Sequence, residues 1–430
     1  MFGLLGDPGP IPALTHCGIM FNFGLSIRAM KVLFAFGGIP LYLNRLLEKL
    51  TEKGVDVTAV IPDGRSVAVG KNVEMSRGQK TYRVVTTPER RSPRSRKPHF
   101  PALKDILAAE KPDIVVIGWP YFLDLYFDRW LLKTIRQETI RLIVREIPFQ
   151  VPPCRGSRRW FRKHPVYDEQ MNLLSRGLGF RLRSAFLRHV RRFVYKRADA
   201  SINYSSVAHE ILPGYGIPNE KIFVTHNSPD VETLWKQRET IEKAPRLLPE
   251  NPCRILHIGR LVKWKRVDLL LEATGLLAER FPGTELVVVG DGPELENLRK
   301  QAAETGVADR VRFVGAVYDP LTLAQCMHES SVYALAGMGG LSINEAMACG
   351  LPVVCSVCDG TEKDLVVPEY NGFFFREGDA GSLADKLALL LDDPEKCRRM
   401  GANALQTIRE KINLDAVTDR FIEAFKSVLP

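Results

Sequence analysis

The sequence is poor in cysteine, and no second cysteine or histidine pair accompanies its Cys-x-x-Cys. Eight cysteines among 430 residues are too few for a disulfide framework and indicate a reducing compartment. Cys355 and Cys358 form the Cys-x-x-Cys pair, but the ligands that would complete a zinc site are not found nearby in the sequence. We therefore expect this pair to be part of a strand-to-loop junction.

Long apolar runs are also scarce. Beyond the first 29 residues, no uninterrupted apolar stretch reaches the ~18 residues of a transmembrane helix. The stretch Pro8–Ile27 is uncharged and apolar, but its prolines and glycines argue against a spanning helix, and no Lys or Arg precedes it as in a signal peptide. We expect residues 1–29 to be a poorly ordered N-terminal extension that contributes little to the fold.

The composition is that of a globular protein. Apolar residues make up 45% and charged residues 26% of the chain, which excludes disorder, collagen-like repeats and a disulfide mini-scaffold. A chain of 430 residues is two to three times as long as a typical domain of about 100–200 residues. The length therefore predicts two domains.

From Met30 onward, short apolar strands alternate with amphipathic helices. Val32–Phe36 predicts a buried strand that ends at Gly37-Gly38, Leu41–Lys53 predicts a helix, and Val55–Ile61 predicts the next strand. Strand, glycine turn, helix and strand form the repeating unit of a parallel sheet.

The same alternation begins again at Arg254. Predicted strands such as Ile255–Ile258 and Glu285–Val289 flank a predicted helix at Val267–Phe281. The charged segment Lys236–Pro252 carries three prolines and is interpreted as a linker between the halves. The pattern predicts two doubly wound α/β domains, with a ligand site in the cleft where the carboxyl ends of the strands meet.

Two cations follow the first strand of the second half. Gly259 and Arg260 end that strand, and Lys265 stands five residues later near the start of a helix. Both cations could reach one diphosphate.

Two glycine-rich turns supply the other candidate ligand groups. Gly290-Asp-Gly292-Pro follows the next strand, and Gly339-Gly340-Leu341 precedes a helix that carries Glu345. Glycine turns at helix starts present free N–H groups to phosphate or sugar oxygens. The Glu345 carboxylate could accept hydrogen bonds from two ribose hydroxyls.

These motifs, taken in order, resemble those of glycosyltransferase family 4, the retaining nucleotide-sugar transferases of GT-B fold. The family's Gly-Arg-Leu-x-x-x-Lys pattern matches Gly259–Lys265, and its Gly-Asp-Gly-Pro turn matches Gly290–Pro293. Its Gly-Leu-x-x-x-Glu-Ala-Met-Ala-x-Gly-x-Pro-Val pattern matches Gly340–Val353, and its glycine pair after the first strand matches Gly37-Gly38.

The resemblance implies an α/β protein of GT-B fold, in which two Rossmann-like doubly wound domains face a central cleft. It implies an acceptor-side domain over residues 30–235 and a nucleotide-sugar-binding domain over 236–412. Residues 413–430 are expected to form a helix that crosses back to the first domain.

The resemblance also assigns roles to individual residues. Arg260 and Lys265 are the expected catalytic groups, because they would hold the donor diphosphate. The expected donor-binding residues are Gly37, Gly38, Gly259, Gly290, Gly292, Gly339, Gly340, Leu341 and Glu345. No cofactor and no metal is expected, since the two cations can neutralise the diphosphate and no Asp-x-Asp pair is present.

The expected function is retaining transfer of a hexose-type sugar from a nucleoside diphosphate sugar to a glycan or lipid-linked acceptor, in polysaccharide or glycolipid biosynthesis. Two alternatives remain open. One is a sugar-nucleotide epimerase or hydrolase of the same fold, and the other is a sugar-nucleotide-binding protein without catalysis.

Two positions depart from the family pattern. Gly337 stands where many members have a second Glu, eight residues before Glu345, and Gly118 stands where many have a His two residues before a proline. These glycines put contacts to sugar hydroxyls and any His-assisted step in question. Binding of diphosphate and ribose does not depend on them.

Charge is distributed unevenly along the chain. Residues 1–220 carry 35 Lys and Arg against 19 Asp and Glu, whereas residues 221–430 carry 25 against 31. Within Arg155–Arg197, the apolar residues Leu182, Phe186, Val190 and Phe193 form a helical stripe among arginines. The stripe is interpreted as packing on its own sheet while the surrounding arginines, Arg191 among them, stay solvated. An anionic membrane surface and a lipid-diphosphate acceptor are the alternatives.

Nucleic acid is an improbable partner, because no recognisable binding motif accompanies the basic clusters. We expect a cytoplasmic protein that could associate peripherally with the cytoplasmic face of a membrane.

Overall fold

The computed structural model describes the chain from residue 29 onward, apart from short internal gaps. The described residues are 29–66, 75–76, 78–92, 97–148, 151–167, 172–236, 238–358 and 360–430, with the side chains of 238 and 239 left out. The expectations for residues 1–28, Cys17 included, lie outside the described residues.

The first domain contains one large parallel sheet. The strands of the sheet are β1 (Lys31–Ala35), β2 (Asp56–Pro62), β3 (Arg83–Thr87), β6 (Ile114–Gly118), β7 (Arg141–Glu146), β8 (Ala200–Asn203) and β9 (Ile222–Val224). Two short strands outside it, β4 (Arg90–Arg91) and β5 (Pro98–His99), form an antiparallel pair. The sheet has seven strands in the order β3-β2-β1-β6-β7-β8-β9, and every pairing is parallel. The reversal of strand order at β1 is the topological switch point of a doubly wound fold.

Helices cover both faces of this sheet or connect its strands. They are α1 (Leu41–Glu52), α2 (Leu103–Glu110), α3 (Asp124–Phe127), α4 (Arg129–Gln137), α5 (Ser157–Lys163), α6 (Gly177–Tyr195) and α7 (Ala208–Ile211). After β9, the helices α8 (Val231–Lys236) and α9 (Arg238–Lys243) pack on the second domain. The leucines of α1 recur every three or four residues, so Leu43, Leu46, Leu47 and Leu50 are all buried on one face.

The second domain repeats the arrangement. Its elements are β10 (Arg254–Ile258), α10 (Val267–Arg280), β11 (Glu285–Val289), α11 (Leu295–Glu304), β12 (Val311–Gly315), α12 (Pro320–His328), β13 (Val332–Leu335), α13 (Ser342–Ala348), β14 (Val353–Cys355), α14 (Thr361–Leu365), β15 (Gly372–Phe374), α15 (Ala380–Leu391) and α16 (Pro394–Lys411). One further helix, α17 (Leu414–Val428), follows and returns to the first domain. Six parallel strands follow the order β12-β11-β10-β13-β14-β15. The prediction of two Rossmann-like doubly wound domains is confirmed.

The segment between the domains differs from the prediction. Part of the expected linker Lys236–Pro252 is the helix α9, which contacts α12. Glu329 accepts the backbone N–H groups of Leu247 and Leu248 at 2.9 and 2.7 Å. A carboxylate distant in sequence therefore fixes a segment whose prolines and charges suggested a linker.

The chain crosses into the second domain earlier than residue 236. Val231 of α8 belongs to the second domain's core, and Trp235 donates a hydrogen bond from Nε1 to the Ala348 carbonyl oxygen at 3.0 Å. The crossing therefore lies between β9 and α8.

The last helix, α17, packs on the first domain's sheet. Phe421 and Phe425 are buried there, and the ring of Phe425 lies 6.1 Å from that of Phe34 in β1. Lys53 at the end of α1 pairs with Asp419 at 2.6 Å. The chain end thus completes the core of the domain in which the chain began.

Within the described part of the chain, no helix combines the length and the apolarity needed to span a bilayer.

Replacing Phe425 by Ala should destabilise the protein by about 3–5 kcal/mol, because a fully buried ring is removed and a cavity is left. Leu389→Ala, at a position of α15 that is 40% exposed, should cost less than about 1 kcal/mol. Denaturant unfolding of both variants is the measurement. Equal losses for the two would show that Phe425 is not a core residue.

Candidate active site

A cavity of about 340 Å³ lies between the two domains, at the carboxyl ends of their strands. The first domain contributes Gly37 and Gly38 after β1, Gly118 at the end of β6, and Arg145 at the end of β7. The second domain contributes the turn Gly339–Leu341 before α13. The structure thus brings the glycine pair Gly37-Gly38 and the turn Gly339–Leu341 to opposite walls of one cleft.

Lys265 lies beside the turn of the second domain. Its Nζ donates a hydrogen bond to the Gly339 carbonyl oxygen at 2.7 Å, and a methyl group on Gly340 would lie 3.4 Å from the same nitrogen. Lys265 itself is not among the residues that line the cavity, but its ammonium group is fixed on the turn that does, so it adds positive charge behind any anion bound at that turn.

Arg260 is exposed at the end of β10 and outside the lining of this cavity. Its guanidinium makes no hydrogen bond or ion pair with any described residue. It is therefore available to a ligand that extends beyond the cavity.

Gly290 and Gly292 support the site and do not line the cavity. A Cβ at Gly290 would overlap the Gly259 carbonyl, and one at Gly292 would overlap the backbone of Leu261. Gly290 has φ +149°, and Leu261 donates its N–H to the Asp291 carbonyl oxygen at 3.0 Å. The geometry makes these two glycines the packing surface for the Gly259–Leu261 loop.

Glu345 lies in α13 and lines an adjoining cavity of about 450 Å³. This cavity shares Pro40, Tyr42 and Leu341 with the first, so the two lie side by side. The Glu345 carboxylate makes no hydrogen bond to a described residue, and burial raises its pKa to about 7. Such a carboxylate can accept hydroxyl hydrogens from a ligand at little cost.

The structure explains why position 337 is occupied by glycine. Its backbone lies against the chain at Trp264 and Lys265, where a Cβ would overlap the Trp264 carbonyl oxygen and approach the carbonyl carbon of Lys265 to 2.7 Å. Met338 donates its N–H to the same Trp264 oxygen at 2.8 Å. No glutamate can occupy this position without movement of the backbone that carries Lys265.

Gly118 is explained in a similar way. A Cβ there would lie 2.7 Å from Cδ1 of Phe36, whose ring occupies the space that a side chain would fill. The two departures from the family pattern are therefore sites of close packing.

Sequence reasoning did not single out Glu146, which lines the cavity and is almost fully buried. Its Oε2 accepts a hydrogen bond from Nε of Arg191 at 2.9 Å, and the Arg191 guanidinium lies 3.9 Å from the ring of Trp119. Burial raises the pKa of Glu146, and Arg191 opposes that rise. Arg191 was expected on the solvated face of its helix, and the structure shows instead that it is buried against this carboxylate.

Among the described residues, no group of three or more His, Cys, Asp and Glu side chains is arranged to hold a metal ion.

Two family models match the chain, one for each domain. The model "Glycosyl transferase 4-like domain" matches residues 37–228, and "Glycosyl transferases group 1" matches residues 238–407.

Three curated relatives are similar over about half of this chain. An uncharacterised glycosyltransferase of Haemophilus influenzae is 30% identical over 46% of this chain and 58% of its own length. The N-acetyl-alpha-D-glucosaminyl L-malate synthase of Bacillus anthracis is 25% identical over 56% and 63%. The D-inositol 3-phosphate glycosyltransferase of Thermomonospora curvata is 29% identical over 52% and 55%. The chain thus spans little more than half the length of the curated relatives it matches.

Solved structures share the fold over nearly the whole chain. Anabaena HepE in complex with UDP aligns with a TM-score of 0.64 at 17% identity, over 93% of this chain and 100% of that one. Sucrose-phosphate synthase of Thermosynechococcus elongatus aligns with a TM-score of 0.66 at 18% identity, over 93% and 99%. With both domains matched by family models and two Rossmann-like sheets facing one cleft, the chain belongs to the GT-B glycosyltransferases and is family 4-like.

Proposed function

We propose that the protein is a retaining glycosyltransferase that moves a hexose-type sugar from a nucleoside diphosphate sugar to a glycan or lipid-linked acceptor. The observation that carries the proposal is the position of Lys265. Its ammonium group is fixed 2.7 Å from the Gly339 carbonyl oxygen, at a turn that faces Gly37 and Gly38 across one cavity. A cation and two glycine turns in one cleft suit a diphosphate.

The nucleoside would extend from that diphosphate into the adjoining cavity. Glu345 lines this space with a carboxylate that no described residue engages, as a ribose diol requires. The base remains to be identified. HepE, which has this fold, was solved with UDP, so a uridine nucleotide is the first candidate.

The charges in the cleft favour a reaction without a protein nucleophile. Glu146 is the one carboxylate among the residues that line the cavity of about 340 Å³, and Arg191 already engages it. In the proposed reaction, the bond from the anomeric carbon to the donor phosphate breaks while the acceptor oxygen bonds to the same face. The acceptor's hydroxyl proton passes to the departing phosphate oxygen, so configuration is retained.

Stabilisation of the leaving group is the main task of the protein in this scheme. As the anomeric carbon becomes oxocarbenium-like, negative charge accumulates on the departing phosphate. We propose that Lys265, Arg260 and the N–H groups of the glycine turn meet that charge. We propose that these groups suffice without a metal ion.

The proposed acceptor belongs to polysaccharide or glycolipid biosynthesis. Among the relatives, one is named for malate and another for inositol 3-phosphate. An acceptor panel should therefore contain small hydroxylated anions and their neutral counterparts as well as saccharides.

We further propose that the first domain associates with an anionic membrane surface. The apolar stripe predicted within Arg155–Arg197 lies on α6, and it is buried only in the second half of that helix, where Val190 packs into the core. Toward the start of the helix, Leu178, Leu182 and Phe186 are 68%, 63% and 40% exposed. The exposed residues recur every four positions and so share one face.

Arginines flank this exposed face. Arg181 and Arg183 are exposed near the start of α6, and Arg192 is exposed near its end. An apolar stripe with arginines beside it can insert between lipids while the guanidinium groups contact anionic headgroups.

Arg260→Ala and Lys265→Ala should each reduce sugar transfer about 100-fold, since each removes roughly 3 kcal/mol of leaving-group stabilisation. Transfer from UDP-, GDP- and ADP-sugars to the acceptor panel is followed by mass spectrometry. Lys300→Ala, at an exposed position of α11, is the control and should retain wild-type turnover.

Near-normal turnover by a variant that carries both Arg260→Ala and Lys265→Ala would refute the assignment of the diphosphate site. Activity should survive a chelator, and its loss with rescue by a divalent ion would contradict the metal-free scheme. Donor consumption without any acceptor would indicate an epimerase or hydrolase instead.

Donor affinity should rise with pH through about 7 and then level off. The unliganded Glu345 carboxyl has a pKa of about 7, and hydrogen bonds from ribose stabilise its ionised form, so each pH unit below 7 should weaken binding up to about tenfold. Calorimetric titration of nucleoside diphosphate from pH 5.5 to 8.5 tests this. Glu345→Gln cannot titrate and reports the contribution of the diphosphate itself. Parallel profiles for the two proteins would contradict the role of Glu345.

The protein should co-sediment with vesicles that contain anionic lipid and not with neutral vesicles, and salt should weaken the association. Leu182→Ser with Phe186→Ser, and separately Arg181→Gln with Arg192→Gln, should each reduce binding about tenfold or more. Lys300→Gln, on the second domain, serves as the control. Equal recovery with both kinds of vesicle would leave the exposed face of α6 as solvated surface.

A further inference from the structure

Arg145 occupies an unusual environment at the end of β7. It is half-buried and lines the cavity between the domains, on the wall opposite the Gly339–Leu341 turn. Its guanidinium carbon lies 5.6 Å from the ring centroid of Phe36 and 5.9 Å from that of Phe421. Two phenyl rings therefore support the cation and direct it into the cavity.

No described side chain or carbonyl pairs with the Arg145 guanidinium. The neighbouring carboxylate, Glu146, is engaged by Arg191 instead, at 2.9 Å and with both groups almost fully buried. Because Glu146 and Arg191 neutralise each other, the positive charge of Arg145 is not compensated within the cavity wall. An uncompensated, half-buried guanidinium on the wall of a cavity is suited to a ligand of opposite charge.

The surrounding residues preserve this arrangement. The absence of a side chain at Gly118 leaves space for the Phe36 ring, because a Cβ there would lie 2.7 Å from Cδ1 of that ring. The helix α17 provides Phe421, which is buried. Arg145 is thus held by Phe36, which directly precedes the predicted donor-binding Gly37, and by the last helix of the chain.

We propose that Arg145 binds an oxyanion, a phosphate or carboxylate group, on the acceptor, and that the acceptor is therefore anionic beside the hydroxyl that receives the sugar. This inference rests on the proposed transferase function. A guanidinium presents paired N–H donors that match the two oxygens of such a group. Arg260 and Lys265 belong to the other domain, so donor and acceptor would each meet their own cations.

The position also suits the chemistry. An anion held by Arg145 fixes one end of the acceptor on the first domain's wall, and its hydroxyl can then face the anomeric carbon held by the second domain. Orienting the two reactants in one cleft reduces the entropic cost of their meeting. Arg145 is accordingly a positioning residue for the acceptor.

The test uses the full chain saturated with the nucleoside diphosphate that binds it most tightly, so that Arg260 and Lys265 are occupied. Inorganic phosphate and acetate are then titrated separately at constant ionic strength and followed by NMR. Wild type should bind at least one of the two, and Arg145→Gln should weaken that binding at least tenfold, with partial recovery in Arg145→Lys. Arg141→Gln, at the start of the same strand and paired with Asp199 at 3.7 Å, should bind like wild type.

Turnover provides the second measurement. With acceptors that differ only in a phosphate or carboxylate, Arg145→Gln should raise KM for the anionic member at least tenfold and leave KM for the neutral member unchanged. Equal effects of Arg145→Gln and Arg141→Gln would overturn the proposal, as would the absence of phosphate and acetate binding by wild type. Weaker nucleotide binding by Arg145→Gln would instead assign its anion to the donor. If no nucleoside diphosphate binds to wild type, the proposed function itself fails.

Discussion

The cleft depends on the close contact between loops at the ends of β10, β11 and β13. Gly290 packs on the Gly259 carbonyl, and Gly337 packs on the backbone of Trp264 and Lys265, at distances that exclude any side chain. These contacts place the Lys265 ammonium against the Gly339 carbonyl. The position of the cation is therefore set by backbone packing, which is more rigid than a side chain reaching across solvent.

Much of this could be predicted from the sequence, because the signals are local. The apolar strands and the amphipathic helix α1 follow from short periodic patterns, and Gly259, Lys265 and Gly339 lie in motifs that surround single strand ends. The doubly wound fold then brings those strand ends to one cleft. Sequence patterns alone therefore predict the part of the site that consecutive residues of the second domain form.

The remainder depends on partners that are distant in the chain. Arg191 looked like other arginines of a basic helix, and only the fold places it on Glu146, 45 residues earlier. The helix α9 was missed because prolines and charges surround it, and Glu329 that fixes the following segment lies some 80 residues away. The only hint of Arg145 and Glu146 in the sequence is that two charged residues directly follow the apolar run Leu142–Val144.

The return of α17 to the first domain has a mechanical consequence. The backbone passes between the domains twice, once between β9 and α8 and once between α16 and α17. Two covalent connections act as a hinge with a defined axis, so the domains can open and close but cannot twist freely about one tether. Phe421 lies in the helix that follows the second connection and supports Arg145 at 5.9 Å, so any bending there would shift a residue on the wall of the cleft.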